Sequence, residues 1–142
     1  MTYLFFDTET TGVPKNYKAP VTDTDNWPRL VQLAIRITDE HGEQITAIDA
    51  IIKPEGFTIP ESASKIHGIT TEMALEKGGD LGYVLHTIFT QFSERDRVII
   101  AHNINFDKMI LGCEFYRIIG TNPLEEAKLF CTMMSTTNIC KL

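Results

Sequence analysis

The chain has 142 residues, 43% of them hydrophobic and 23% charged, the proportions of one soluble globular domain with a single core. Its net charge of −6 at pH 7 argues against a protein that coats duplex nucleic acid through a broad basic face, but not against an enzyme whose acidic residues hold metal ions. No apolar run approaches the ~18 residues of a membrane span and no basic region precedes one at the start, so a cytoplasmic protein with no membrane contact is expected.

The first predicted element is a strand that runs from Tyr3 into the turn Thr10-Thr11-Gly12. Strand side chains alternate, so Tyr3, Phe5, Asp7 and Glu9 share one face. Two carboxylates side by side raise each other's pKa, and a divalent cation resolves that conflict. Residues 13–29 form a long polar connection with Pro14, Pro20 and Pro28. One reading makes it a flap that offers Lys15, Lys18 and Arg29 to phosphates and Trp27 to a base. The other, preferred for Trp27, is a surface excursion anchored by Trp27-Pro28. Val31, Leu33, Ile35 and Ile37 alternate as a second strand. Asp39-Glu40-His41-Gly42 turns the chain, and Ile45 to Ile52 returns, giving an antiparallel meander.

Residues 54–80 read as short helices and turns, with Thr70 as an N-cap. Leu81, Val84, Leu85, Ile88, Phe89 and Phe92 then recur at helical spacing. Arg97 to His102 is an apolar run suited to a central strand. Asn103 is a candidate N-cap for a helix from about Ile104 to Ile119, with Gly120 as its stop. Lys128 to Cys131 is a last short strand, and no closing element is evident before Leu142. Cys113, Cys131 and Cys140 form no close pair and read as small apolar residues. The pattern is an α/β domain with a mixed central sheet, the antiparallel meander first. Asp107, in the first turn of the helix after the buried strand, is a candidate third ligand.

Asp7-Thr8-Glu9-Thr10-Thr11-Gly12 and Ala101-His102-Asn103-Ile104-Asn105-Phe106-Asp107 resemble the first and second motifs of the DEDD 3′–5′ exonucleases (DnaQ-like), which include the proofreading subunit of bacterial DNA polymerase III. Ile66-His67-Gly68-Ile69 resembles the His-Gly-Ile segment of that family, and Phe130-Cys131-Thr132 the strand after the second motif. The resemblance implies a ribonuclease H-like fold with helices flanking the sheet. It also implies a metal-dependent exonuclease acting on DNA 3′ ends, in proofreading or repair. By the same resemblance, Asp7, Glu9 and Asp107 hold two Mg²⁺ or Mn²⁺ ions, a role that suits an all-carboxylate donor set. Thr8, Thr10, Thr11, Gly12, His67, Ile69, Asn103 and Phe106 are implied in substrate binding. A single-stranded or frayed DNA 3′ end is the implied substrate, and a polymerase subunit an implied partner.

The family pattern ends with a histidine or tyrosine and an aspartate on a later helix. Here no aspartate follows Asp107 and no histidine follows His102, so no general base is assigned. Glu114, Glu125 and Glu126 do not stand in a context that replaces the fourth acid. The leading expectation is one exonuclease domain over residues 1–142, incomplete at its C-terminus with the last helix missing. Such a chain would be nearly inactive, bind one ion or none, and expose apolar surface that favours dimers. The alternatives are a catalytically dead nucleic-acid-binding or polymerase-docking module, a site completed by another subunit, and a ribonuclease of the same family.

Overall fold

The computed structural model describes residues 1–140, and the last two residues of the expected domain lie outside them. Five strands form one sheet: β1 (Thr2–Thr10), β2 (Leu30–Thr38), β3 (Gln44–Ile51), β4 (Arg97–Ala101) and β5 (Lys128–Cys131). Their order is β3-β2-β1-β4-β5. β1–β2 and β2–β3 pair antiparallel, whereas β1–β4 and β4–β5 pair parallel. The meander is therefore joined to a parallel half through β1, the central strand.

The helices are α1 (Glu61–His67), α2 (Thr71–Lys77), α3 (Leu81–Ser93), α4 (Ile104–Ile119) and α5 (Thr132–Cys140). The periodic stripe of α3 buries Leu81, Leu85, Ile88 and Phe92. Its start is fixed by Asp80, whose carboxylate accepts the Tyr83 N–H at 2.8 Å. These residues join Leu4 and Phe6 of β1, Leu33, Ile35 and Ile37 of β2, Ile99 of β4, and Ile110, Leu111 and Phe115 of α4 in the main core. Phe6, Phe92 and Phe115 meet edge to face, with Phe6 and Phe92 centroids 5.4 Å apart, the preferred aromatic arrangement. Thr70 caps α2 through the Met73 N–H, and Gly120 closes α4 in the left-handed conformation. A smaller core under α1 and α2 contains Val31, Ile59, Ala63, Ile69 and Ala74.

The opposite face of the sheet is more open. Phe5 and Phe130 are exposed there, flanking Ile100 in register. No helix among the described residues is long and apolar enough to cross a membrane.

Residues 13–29 are packed, not a free flap. Trp27 is buried in the main core and its indole N–H donates to the Pro20 carbonyl. Asn16 and Asn26 bond to each other across the loop. Its two ends are tied where Thr11 N–H donates to Arg29 O and Arg29 N–H donates to the Thr11 hydroxyl. Lys15 and Lys18 remain exposed.

α5 is an element the sequence pattern does not announce. It has no buried residue, so it carries no apolar stripe to read. The hydroxyls of Ser135, Thr136 and Thr137 donate to carbonyls one turn back.

Candidate active site

β1 presents Asp7 and Glu9 on the open face of the sheet, Asp7 exposed and Glu9 half-buried. Its register with β2 shifts between Glu9 and Thr10, and such a bulge turns the strand end away from regular pairing. The parallel ladder with β4 covers only Thr2 to Phe5 of β1. Beyond Phe5 that edge of β1 needs other partners. Asp107 supplies one. Its Oδ1 accepts the Thr8 backbone N–H at 3.1 Å and the Thr8 hydroxyl at 2.7 Å. Helix α4 begins directly beyond β4, which brings its first turn against this edge.

Asp107 is 4% exposed and forms no ion pair among the described residues. Burial pushes its carboxyl up to about 6, and the neighbouring charge of Asp7 adds to the rise. The Thr8 hydroxyl and the backbone N–H groups of Thr8 and Asp107 work in the other direction. Two carboxylates thus act on each other, one of them in a poorly solvated place.

The turn after β1 is braced internally. The Thr10 hydroxyl donates to Gly12 O at 2.7 Å. The Ile69 N–H donates to His67 Nδ1, which leaves Nε2 as the protonated nitrogen facing the Thr10 carbonyl at 3.2 Å. His67 therefore holds the turn that follows the two acids. Gly12 has open space where a side chain would be.

The structure separates the remaining candidates. Thr8 is buried behind β1 against Asp107, so it is not an exposed substrate contact. The Thr11 amide is spent on Arg29 and cannot face a nucleotide. Ile69 is buried in the smaller core and does not line an open pocket. Phe106 packs partly against the main core. Asn103 precedes α4 but makes no capping bond with its side chain. It adopts φ 54°, ψ 49°, a conformation that costs energy outside glycine and clusters at functional sites.

Further polar residues whose partners the sequence pattern did not reveal are fixed by the fold. Glu114 of α4 is fully buried and accepts from Arg29 Nε at 2.9 Å and from the Leu30 N–H at 3.0 Å. Arg117 Nη1 lies 3.0 Å from Glu114 Oε1 but is not aligned for a hydrogen bond; we read that contact as charge pairing. The Arg29 guanidinium also stacks over Phe57, 4.6 Å from its centroid. Arg29 is thereby held in the structure and is not free to serve phosphates. Glu114 lies two turns from Asp107 on the same helix, which was the available signal. His102 Nδ1 lies 3.1 Å from the Thr132 hydroxyl. Burial raises the adjacent Cys131 thiol, yet the N–H groups of Met134, Ile104, Asn103 and Met133 together hold it below its ordinary range.

Among the described residues no three acidic, histidine or cysteine side chains form a ready cation cage. The donor set still suits a hard divalent ion: carboxylate oxygens only, with Asp7 and Asp107 repelling each other and no cationic partner on Asp107.

Comparison with known proteins places this geometry in context. No curated protein sequence matches the chain. Among solved structures, E. coli exonuclease I in complex with a dT13 oligonucleotide is similar at TM-score 0.77 and 24% identity, over 99% of this chain and 29% of that one. Its complex with a dA16 oligonucleotide gives TM-score 0.77 and 24% identity, over 99% and 30%. A moderately thermophilic exonuclease I from Methylocaldum szegediense gives TM-score 0.76 and 25% identity, over 96% and 29%. The chain thus spans less than a third of the exonuclease I chains it matches. The likeness shows the fold: a ribonuclease H-like mixed sheet flanked by helices. The family model described as exonuclease matches residues 4–141, and the chain belongs to that nuclease family.

Proposed function

We propose that this chain is a metal-dependent 3′–5′ exonuclease domain acting on single-stranded DNA ends, with Asp7, Glu9 and Asp107 as its acidic ligands. The observation that carries the reading is Asp107: a buried carboxyl pressed by Asp7 and offered only neutral donors. A structural carboxylate at such a place is normally matched by a cation of the protein, as Glu114 is. Bound Mg²⁺ or Mn²⁺ would supply charge neutralisation at a phosphodiester and a more acidic water.

The chain's own residues do the positioning. Asp7 is exposed on β1 and would be one of the residues that hold the ion. Glu9 lies two residues along the same strand face, and Asp107 is held beside β1 from α4. The Thr10–Gly12 turn, braced by His67, presents an open surface for the terminal nucleotide. The exonuclease I structures that hold dT13 and dA16 support single-stranded DNA as the substrate class.

A second reading, a module that binds nucleic acid without cleaving it, draws support from the histidines. Both ring nitrogens of His67 are engaged, so it is not free to act as general base in this arrangement, while His102 is tied at Nδ1 to the Thr132 hydroxyl. Loss of such a base typically lowers the rate ~10²–10⁴-fold.

Calorimetric Mn²⁺ titration, followed by incubation with 5′-labelled deoxy- and ribo-oligonucleotides, tests the proposal. Expected are weak Mn²⁺ binding that Asp7→Asn removes, and slow shortening of the deoxy strand from its 3′ end. Absence of Mn²⁺ binding would overturn the metal site. Oligonucleotide binding with no shortening would select the second reading, and preference for the ribo strand would assign a ribonuclease.

A further inference from the structure

The family resemblance implies that Thr8 touches substrate, but the fold gives it another place. Thr8 is 7% exposed and Asp107 is 4% exposed. Its side chain lies on the face of β1 opposite Asp7 and Glu9, because alternate residues of a strand point to opposite faces. It cannot reach a nucleotide lying over those two acids.

Both bonds that Thr8 makes to Asp107 end on the same oxygen. The backbone N–H reaches Oδ1 at 3.1 Å and the hydroxyl reaches Oδ1 at 2.7 Å. Oδ1 is thereby held against β1, and Oδ2 is left as the oxygen for another partner. The two residues lie 99 positions apart in the chain, on elements that otherwise meet only through packing. The hydroxyl adds a bond that the backbone N–H alone would not supply. It limits rotation of a short side chain that would otherwise turn freely about its last bond.

We propose that Thr8 is a positioning residue that orients Asp107 toward the cation. This rests on the functional reading given above. Groups that orient a ligand from behind typically govern metal affinity by about 10- to 100-fold when removed. The backbone bond survives any substitution other than proline, so the hydroxyl can be tested by itself. Valine keeps the β-branched shape that suits a strand. Serine keeps the hydroxyl and drops the methyl.

The experiment is Mn²⁺ titration by calorimetry on the wild-type chain, Thr8→Val and Thr8→Ser, with circular dichroism to establish that each is folded. The expected result is affinity about 10-fold or more weaker in Thr8→Val and within a few-fold of wild type in Thr8→Ser. A merely structural role would show as loss of thermal stability in Thr8→Val at unchanged Mn²⁺ affinity, and that result would overturn the inference while leaving the metal site intact. Equal weakening in both variants would overturn it as well, because the hydroxyl would then not be the cause. If the wild-type chain binds no Mn²⁺, the functional reading fails and the role of Thr8 falls with it.

Discussion

Helix α4 carries two buried carboxylates on one face, and they are provided for in opposite ways. Glu114 is surrounded by charge: Arg29 at 2.9 Å, Arg117 at 3.0 Å, and the Leu30 N–H as a further donor. Asp107 receives only the neutral hydroxyl and N–H of Thr8, with the negative Asp7 nearby. Burial is similar, so the surroundings make the difference. A buried charge that is fully paired ties elements together; here Glu114 clamps the end of the 13–29 loop to α4. A buried charge left without a cation costs stability and remains available to one from solution.

The largest test of this contrast is Glu114→Gln. Removing the charge leaves the partly buried Arg29 and Arg117 without their counterion and an uncharged amide in a fully buried place. Denaturant unfolding should show a loss of about 3 kcal/mol or more. An unchanged midpoint would mean that Glu114 is no clamp. Asp107→Asn should move in the other direction. The folded-state value of about 6 lies above the unfolded value near 3.8. The folded protein therefore binds the extra proton over that interval, and stability declines as pH rises from about 4 to about 6. Near pH 7 the ionised group costs up to about 3 kcal/mol. Asp107→Asn should remove that cost, raise the melting temperature at pH 7, and flatten the decline between pH 4 and 6. A pH slope identical in the two proteins would break the comparison.

A smaller effect concerns the cation itself. Mn²⁺ competes with the proton on Asp107, so affinity should increase as pH rises through about 6 and level off above it. Affinity that is flat from pH 5 to 8 would place the ion away from Asp107.

The same contrast shows what sequence can and cannot convey. Asp7 and Glu9 were legible because alternation along a strand is a local rule. The α3 stripe and the Gly120 stop were legible for a similar reason. Thr8 was not, since its partner lies on a helix far along the chain and nothing in the β1 pattern separates a hydroxyl facing substrate from one facing a carboxylate. Glu114 was passed over because its cations come from a loop end and from a helical neighbour, a pairing that only the folded chain creates. Asn103 was expected to cap α4 by its side chain, and instead takes up the left-handed turn with its backbone. Ile69 follows a histidine motif, yet its burial is decided by Val31 and Ala74, residues of other elements.

The parallel pairing of β1 with β4 has a consequence in time. The meander of β1, β2 and β3 is built from neighbours in sequence, joined by the packed connection over residues 11–29 and by the short turn after Thr38. The step that brings β4 and α4 alongside β1 must join residues as distant as Thr8 and Asp107, and such distant closures are the slow ones. Asp7 and Glu9 can be held on a formed hairpin while Asp107 is still on an unstructured segment. Asp107 thus joins Asp7 and Glu9 only when that long-range pairing forms, and a chain interrupted before α4 would have the first motif with nothing for it to act with.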